Sequence, residues 1–225
     1  MAYYNMTPRF IQANCVEGKR IDLRQANVVK KYKPDIILFE IPAGRSGPSL
    51  IFNKFSPEKK PVRKVAAIKK GLRTVAHIYP YALSDIRIWE NIETLWREGK
   101  NTLLFNIDVS EKLRTYWHKE YGDIPYRILI KQWWFWVYLL MREREMKENV
   151  EDILRHYKGK KRPIVAVFLQ SIHWDHVQFL LSHPSEKAVW KYYFGKFSDI
   201  TPANIGALLK EMNKVLYGYW RRSGY

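Results

Sequence analysis

Residues 36–39, Ile-Ile-Leu-Phe, lie between Pro34-Asp35 and Glu40-Ile41-Pro42-Ala43-Gly44-Arg45. A run that is apolar at every position lacks the alternation of a half-buried strand. It predicts a strand covered on both faces, as in parallel sheets flanked by helices. Glu40 interrupts the run near its end, where a carboxylate is costly unless it is paired or opens on a wet cleft. Open α/β sheets have such a cleft at the carboxyl ends of their strands.

The rest of the chain alternates in the same sense. Strand patterns cover residues 10–16, 35–41, 74–79, 101–107 and 163–169. Between them, residues 21–32 put Leu23, Ala26 and Val29 on one helical face and Arg24, Asn27 and Lys31 on another. Residues 60–72 read as a basic amphipathic helix. A third helix starts from Ser84 as N-cap, carries Ile88, Ile92, Leu95 and Trp96 as its stripe, and stops at Gly99. Residues 124–157 form one long helix or two in sequence, aromatic first and charged later. An aromatic helix of that kind is a buried core element, since acidic residues among its cations do not suit a membrane surface. Thr201 and Pro202 mark a last helix start.

Strands spaced by helices predict an α/β fold: a three-layer sandwich with a mostly parallel central sheet of about five strands and helices on both faces. Without a polar linker, residues 1–225 read as one α/β domain whose C-terminal portion, about 184–225, is helical. Trp133 to Met141, the longest apolar stretch, is about half the roughly 20 residues of a membrane span. One cysteine, Cys15, excludes an internal disulfide framework, and with no secretory signal at the N-terminus the expected location is the cytoplasm. The oligomeric state is not legible.

Lys and Arg number 39 against 22 Asp and Glu, a net charge of +17. Such an excess attracts polyanions. Part of it falls where helices end, at Lys30, Lys31 and Lys33 and again at Lys158, Lys160, Lys161 and Arg162, where cations complement the helix dipole. The charge therefore reads either as a solvated basic rim or as a polyanion surface. The densest segment, Lys59 to Arg73, has seven cations and no acid, and is the candidate contact for nucleic acid.

Gln170-Ser171-Ile172-His173-Trp174-Asp175-His176 follows the fifth strand pattern. On a helix His173 and His176 share a face, so they could chelate a divalent metal ion with Glu40; alternatively one caps the helix and the other lies at the surface. Asp108, at the end of a strand, serves a general base or a helix cap. His77 reads as a satisfied core histidine. The Gly44–Gly47 loop lets backbone N–H groups approach an anion, or is a plain turn. Arg142 and Glu143, in Met-Arg-Glu-Arg-Glu-Met, look like members of intrahelical ion pairs.

Three of these segments together resemble the TraB/ChaN/erythromycin-esterase-like superfamily of metal-dependent hydrolases. Pro34, Asp35, Glu40 and Arg45 reproduce its Pro-Asp strand with a terminal acid and a following arginine. Arg142-Glu143-Arg144-Glu145-Met146 looks like its Arg-Asp-x-x-Met helix, and Gln170-Ser171-Ile172-His173 keeps the histidine of its Gly-x-x-His motif. Ile11-Gln12-Ala13-Asn14 stands where the family's first Gly-x-x-His would fall. The resemblance implies a hydrolase-like protein, metal-dependent or metal-assisted, whose cleft gathers Glu40, Arg45, Asp108, Arg142, His173 and His176. Glu40, His173 and His176 would be the metal donors, and Arg45 and Arg142 would hold a small anionic substrate. The alternative is a non-catalytic protein that binds nucleic acid on the same scaffold.

Overall fold

Four short parallel strands, ordered β1-β4-β2-β3, form the central sheet of a computed structural model. The structure describes residues 7–13, 23–40, 69–70, 82–108, 124–159, 161–169, 171–183, 185–197, 200–201, 203–207 and 210. In chain order the elements are β1 (Arg9–Gln12), α1 (Leu23–Tyr32), β2 (Ile36–Phe39), α2 (Ala82–Arg97), β3 (Leu103–Asn106), α3 (Tyr126–Leu129), α4 (Trp133–Arg155), β4 (Ile164–Phe168), α5 (Ser171–Ser182) and α6 (Glu186–Phe194). The strand expected over residues 74–79, with His77, lies outside the described residues. The chain forms two compact units, Met1–Asp108 with Glu148–His176 and Val109–Lys147 with Val177–Tyr225.

The first unit holds the sheet. Ile36 pairs with Leu103 on one side and Val165 on the other, and Gln12 pairs with Val167. All four residues of β2 are buried, as a central strand with two covered faces requires. One face packs Ile37, Phe39, Leu104, Ala166 and Phe168 against Val29 of α1 and Ile88, Trp89, Ile92, Leu95 and Trp96 of α2. Phe39 stacks on Trp89 at 5.1 Å and on Phe168 at 5.5 Å. The steps from β1 to β2 and from β2 to β3 cross the sheet in one direction, and β3 to β4 returns. Right-handed crossovers therefore assign the return to the opposite face. There Asn149 on α4 donates Nδ2 to the Ile107 carbonyl at 3.0 Å, and Phe10 meets Trp174 of α5 edge-on at 5.0 Å.

Pro34 and Asp35 clamp the amino edge of this sheet. Asp35 accepts the Ile164 N–H at 2.9 Å and Lys100 Nζ at 2.7 Å, while Thr102 donates its hydroxyl to the Pro34 carbonyl at 2.8 Å. α2 ends where Gly99 takes φ +83°, with Gly99 N–H to Trp96 O at 3.1 Å and Lys100 N–H to Leu95 O at 2.9 Å. That pairing satisfies the last carbonyls in a left-handed C-terminal cap. α2 begins at Ala82, so Ser84 sits inside the helix instead of capping it.

The second unit is helical among its described residues. Leu129, Phe135, Val137, Tyr138, Leu139 and Leu140 pack with Leu180, Val189, Tyr193, Phe194 and Ile205. The aromatic half of α4 is thus core. Residues 124–157 hold two helices, α3 and α4, with Trp136 Nε1 donating back to the Ile130 carbonyl at 2.9 Å across the turn between them. Thr201 Oγ1 accepts the Asn204 N–H at 3.4 Å ahead of helical residues 203–207, as an N-cap does. No described helix is long and apolar enough to cross a membrane.

Candidate functional site

The ladder of the first unit extends one step past the strands. Ala13 N–H bonds Val167 O at 2.8 Å, Glu40 N–H bonds Phe168 O at 3.1 Å and Ile107 N–H bonds Phe39 O at 3.1 Å. Glu40 is therefore held at the carboxyl edge by its own backbone. Side chains alternate along a strand, so with Ile37 and Phe39 facing α1 and α2, Glu40 projects to the opposite face with Ile36 and Leu38. Gln12 shares that face through its register with Val167 and Leu38.

His173 enters this edge from the first turn of α5, which follows β4 directly. Its Nε2 stands 3.8 Å from Glu40 Oε1, and the two side chains are only 5% and 8% exposed. That separation is too long for a direct hydrogen bond and short enough for a shared partner. His176, one turn on, is buried too, so neither histidine is the surface residue that the alternative reading of this motif required. Asp108 is buried one residue past Ile107. Among the described residues no three of His, Cys, Asp and Glu gather as a metal-binding group.

Among the described residues of this unit, three buried polar atoms have no hydrogen-bond partner: Gln12 Nε2, Asn149 Oδ1 and Trp174 Nε1. Buried polar groups are nearly always satisfied, so each exception calls for a reason. Gln12 ends β1 and Asn149 is bound to the end of β3, so both lie at the edge that bears Glu40. Trp174 is the neighbour of His173. Sequence reasoning passed over all three. Asn149 carried a signal: it falls in the stripe Met146, Val150, Ile153, where an amide is out of place.

Arg45 and the Gly44–Gly47 loop lie outside the described residues, as does Lys59 to Arg73 apart from Lys69 and Lys70. Lys69 pairs with Glu93 of α2. Arg142 belongs to the second unit, where it is buried. Its neighbour Glu143, expected among intrahelical ion pairs, also has a partner on another helix. It is fully buried and accepts the Tyr193 hydroxyl at 2.5 Å. Burial first, and then the Glu143 carboxylate, push the Tyr193 phenol far above the usual tyrosine range. Of the aromatics near the C-terminus, Tyr193 and Phe194 are core and Tyr192 is exposed.

Neither a protein-family model, nor a curated protein, nor a solved structure matches this chain.

Proposed function

We propose that the first unit is a hydrolase-like α/β module in which Glu40 and His173 activate water. The observation that carries this reading is the burial of a carboxylate and an imidazole 3.8 Å apart at the carboxyl edge of a parallel sheet, where α/β proteins bind ligands. A water between the two would give its proton to one as its oxygen attacks the substrate, the other holding it in line. Gln12, with an unused buried donor on the same face, suits an oxygen of the substrate. A divalent ion at this edge would take Glu40 and His173 as donors and supply Lewis acidity.

The test is turnover of a panel of chromogenic carboxyl and phosphoryl esters by the wild type, Glu40→Gln and His173→Ala. Bound metal and stabilisation by added divalent ions are measured alongside. Activity lost in both folded variants supports the reading. Activity equal in all three proteins, or no turnover together with no metal effect, overturns it.

A further inference from the structure

We infer that the outer groove between α1 and α2 holds the phosphate backbone of a nucleic acid, without regard to sequence. This open groove, about 290 Å³, is lined by Asn27 and Lys30 of α1 and Arg87 and Asn91 of α2. Asn27 and Lys30 are three residues apart and Arg87 and Asn91 four apart, so each pair shares one face of its helix. Packed helices run about 8–10 Å apart, a gap across which a long lysine and a long arginine can reach one strand of phosphates. The Asn27 amide, exposed beside Lys30, offers a neutral donor to phosphate and sugar oxygens.

Charge on this surface is not self-cancelling. Three glutamates of α2 and its end are already matched: Glu90 with Arg87 at 3.1 Å, Glu93 with Lys69 and Glu98 with Lys33 at 3.0 Å. Lys30 and Arg97 have no ion-pair partner among the described residues, and Lys31 lies over Tyr32. Arg87 itself is exposed, and an exposed i,i+3 pair is worth little, so it can exchange Glu90 for a phosphate. The excess of 17 positive charges over the chain adds long-range attraction of the same sign.

The form of the groove selects among anions. Lys30, Asn27 and Arg87 are exposed, so no enclosed cradle exists for one small phosphate. The two large apolar residues exposed among the described positions, Ile128 and Tyr192, belong to the second unit, so the described residues of this face offer none to insert into a bilayer. An extended polyanion remains. This surface is separate from Glu40 and His173, and either reading can fail alone.

Anisotropy of a short fluorescent DNA duplex over a salt series tests it. The wild type should show a steep fall of log affinity with log salt, and the exposed double variant Lys30→Gln/Arg87→Gln a slope reduced by about two. Lys158→Gln/Lys161→Gln, which removes two exposed cations elsewhere, should leave the slope unchanged. A flat wild-type response, an equal reduction in both double variants, or groove-dependent binding to phosphatidylserine vesicles with none to the duplex would each overturn the inference.

Discussion

Tyr193 donates its hydroxyl hydrogen to Glu143 at 2.5 Å, and neither residue has any exposed surface. The bond joins α4 to α6, fifty positions apart in sequence. A carboxylate in an aromatic core is tolerated only while its lone pairs are engaged. Tyr193→Phe should therefore cost about 2 kcal/mol in denaturant unfolding, as hydrogen bonds to charged groups do. Glu143→Ala, which also opens a cavity, should cost more. A double variant should cost clearly less than the sum, and additive losses would mean that the two are not coupled.

The same phenol makes stability depend on alkaline pH. Unfolded tyrosine releases its proton near the ordinary value of 10.0, whereas folded Tyr193 holds it well beyond, through burial and the adjacent Glu143. Above that pH the unfolded state thus binds fewer protons than the folded one. The stabilisation is complete below pH 10 and falls as pH rises, by at most about 1.4 kcal/mol per unit. Unfolding of Tyr193→Phe followed across this range should lack that component. Parallel pH curves for the two proteins would remove the effect.

Two helix ends should respond in opposite directions. Lys33 closes α1 at φ 44° with its N–H on the Val29 carbonyl at 3.0 Å, a left-handed conformation that an L side chain resists. Lys33→Gly should gain about 0.5 kcal/mol, since the exposed Lys33–Glu98 pair that it deletes is worth little. Gly99→Ala should lose about 1 kcal/mol at φ +83°, although open space surrounds the position, because the cost lies in the backbone. Thermal unfolding of both variants measures the signs.

Pro34-Asp35, which the resemblance places at a site strand, is a structural clamp here. Asp35→Ala should leave the Ile164 N–H without its acceptor and Lys100 without its partner, at a cost of about 2 kcal/mol. Lys100→Met should cost less, because Lys100 is partly exposed and the Ile164 bond survives. Equal losses would show that the ion pair, not the backbone bond, carries the clamp.

What could be read in advance followed from periodicity. Ile36 to Phe39 could only be a doubly covered strand, and Gly99 after an apolar stripe could only end a helix. Glu40 at the sheet edge and His173 after the last strand followed from those placements. Glu143 was not legible, because Arg-Glu-Arg-Glu has the composition of a solvated face. Its first glutamate meets Tyr193, fifty residues later. Helix boundaries also slipped: Ser84 has the chemistry of a cap, but the helix had already begun at Ala82. The expected gathering of Arg45 and Arg142 around Glu40 rested on the resemblance, because local pattern carries no information about long-range placement.

Gln12 offers a way to separate fold from function at the rim. Its buried Nε2 has no partner among the described residues, and such a donor destabilises the folded state. Gln12→Met keeps the length of the side chain and removes the amide, so it should raise stability by up to about 1 kcal/mol. If the amide serves the site beside Glu40 and His173, hydrolytic activity should fall in this more stable protein, the trade expected where a functional residue breaks a packing rule. Unfolding midpoints and turnover measured on one preparation give both readouts. A loss of stability instead would show that the amide is satisfied in the folded protein and has no demand on a substrate.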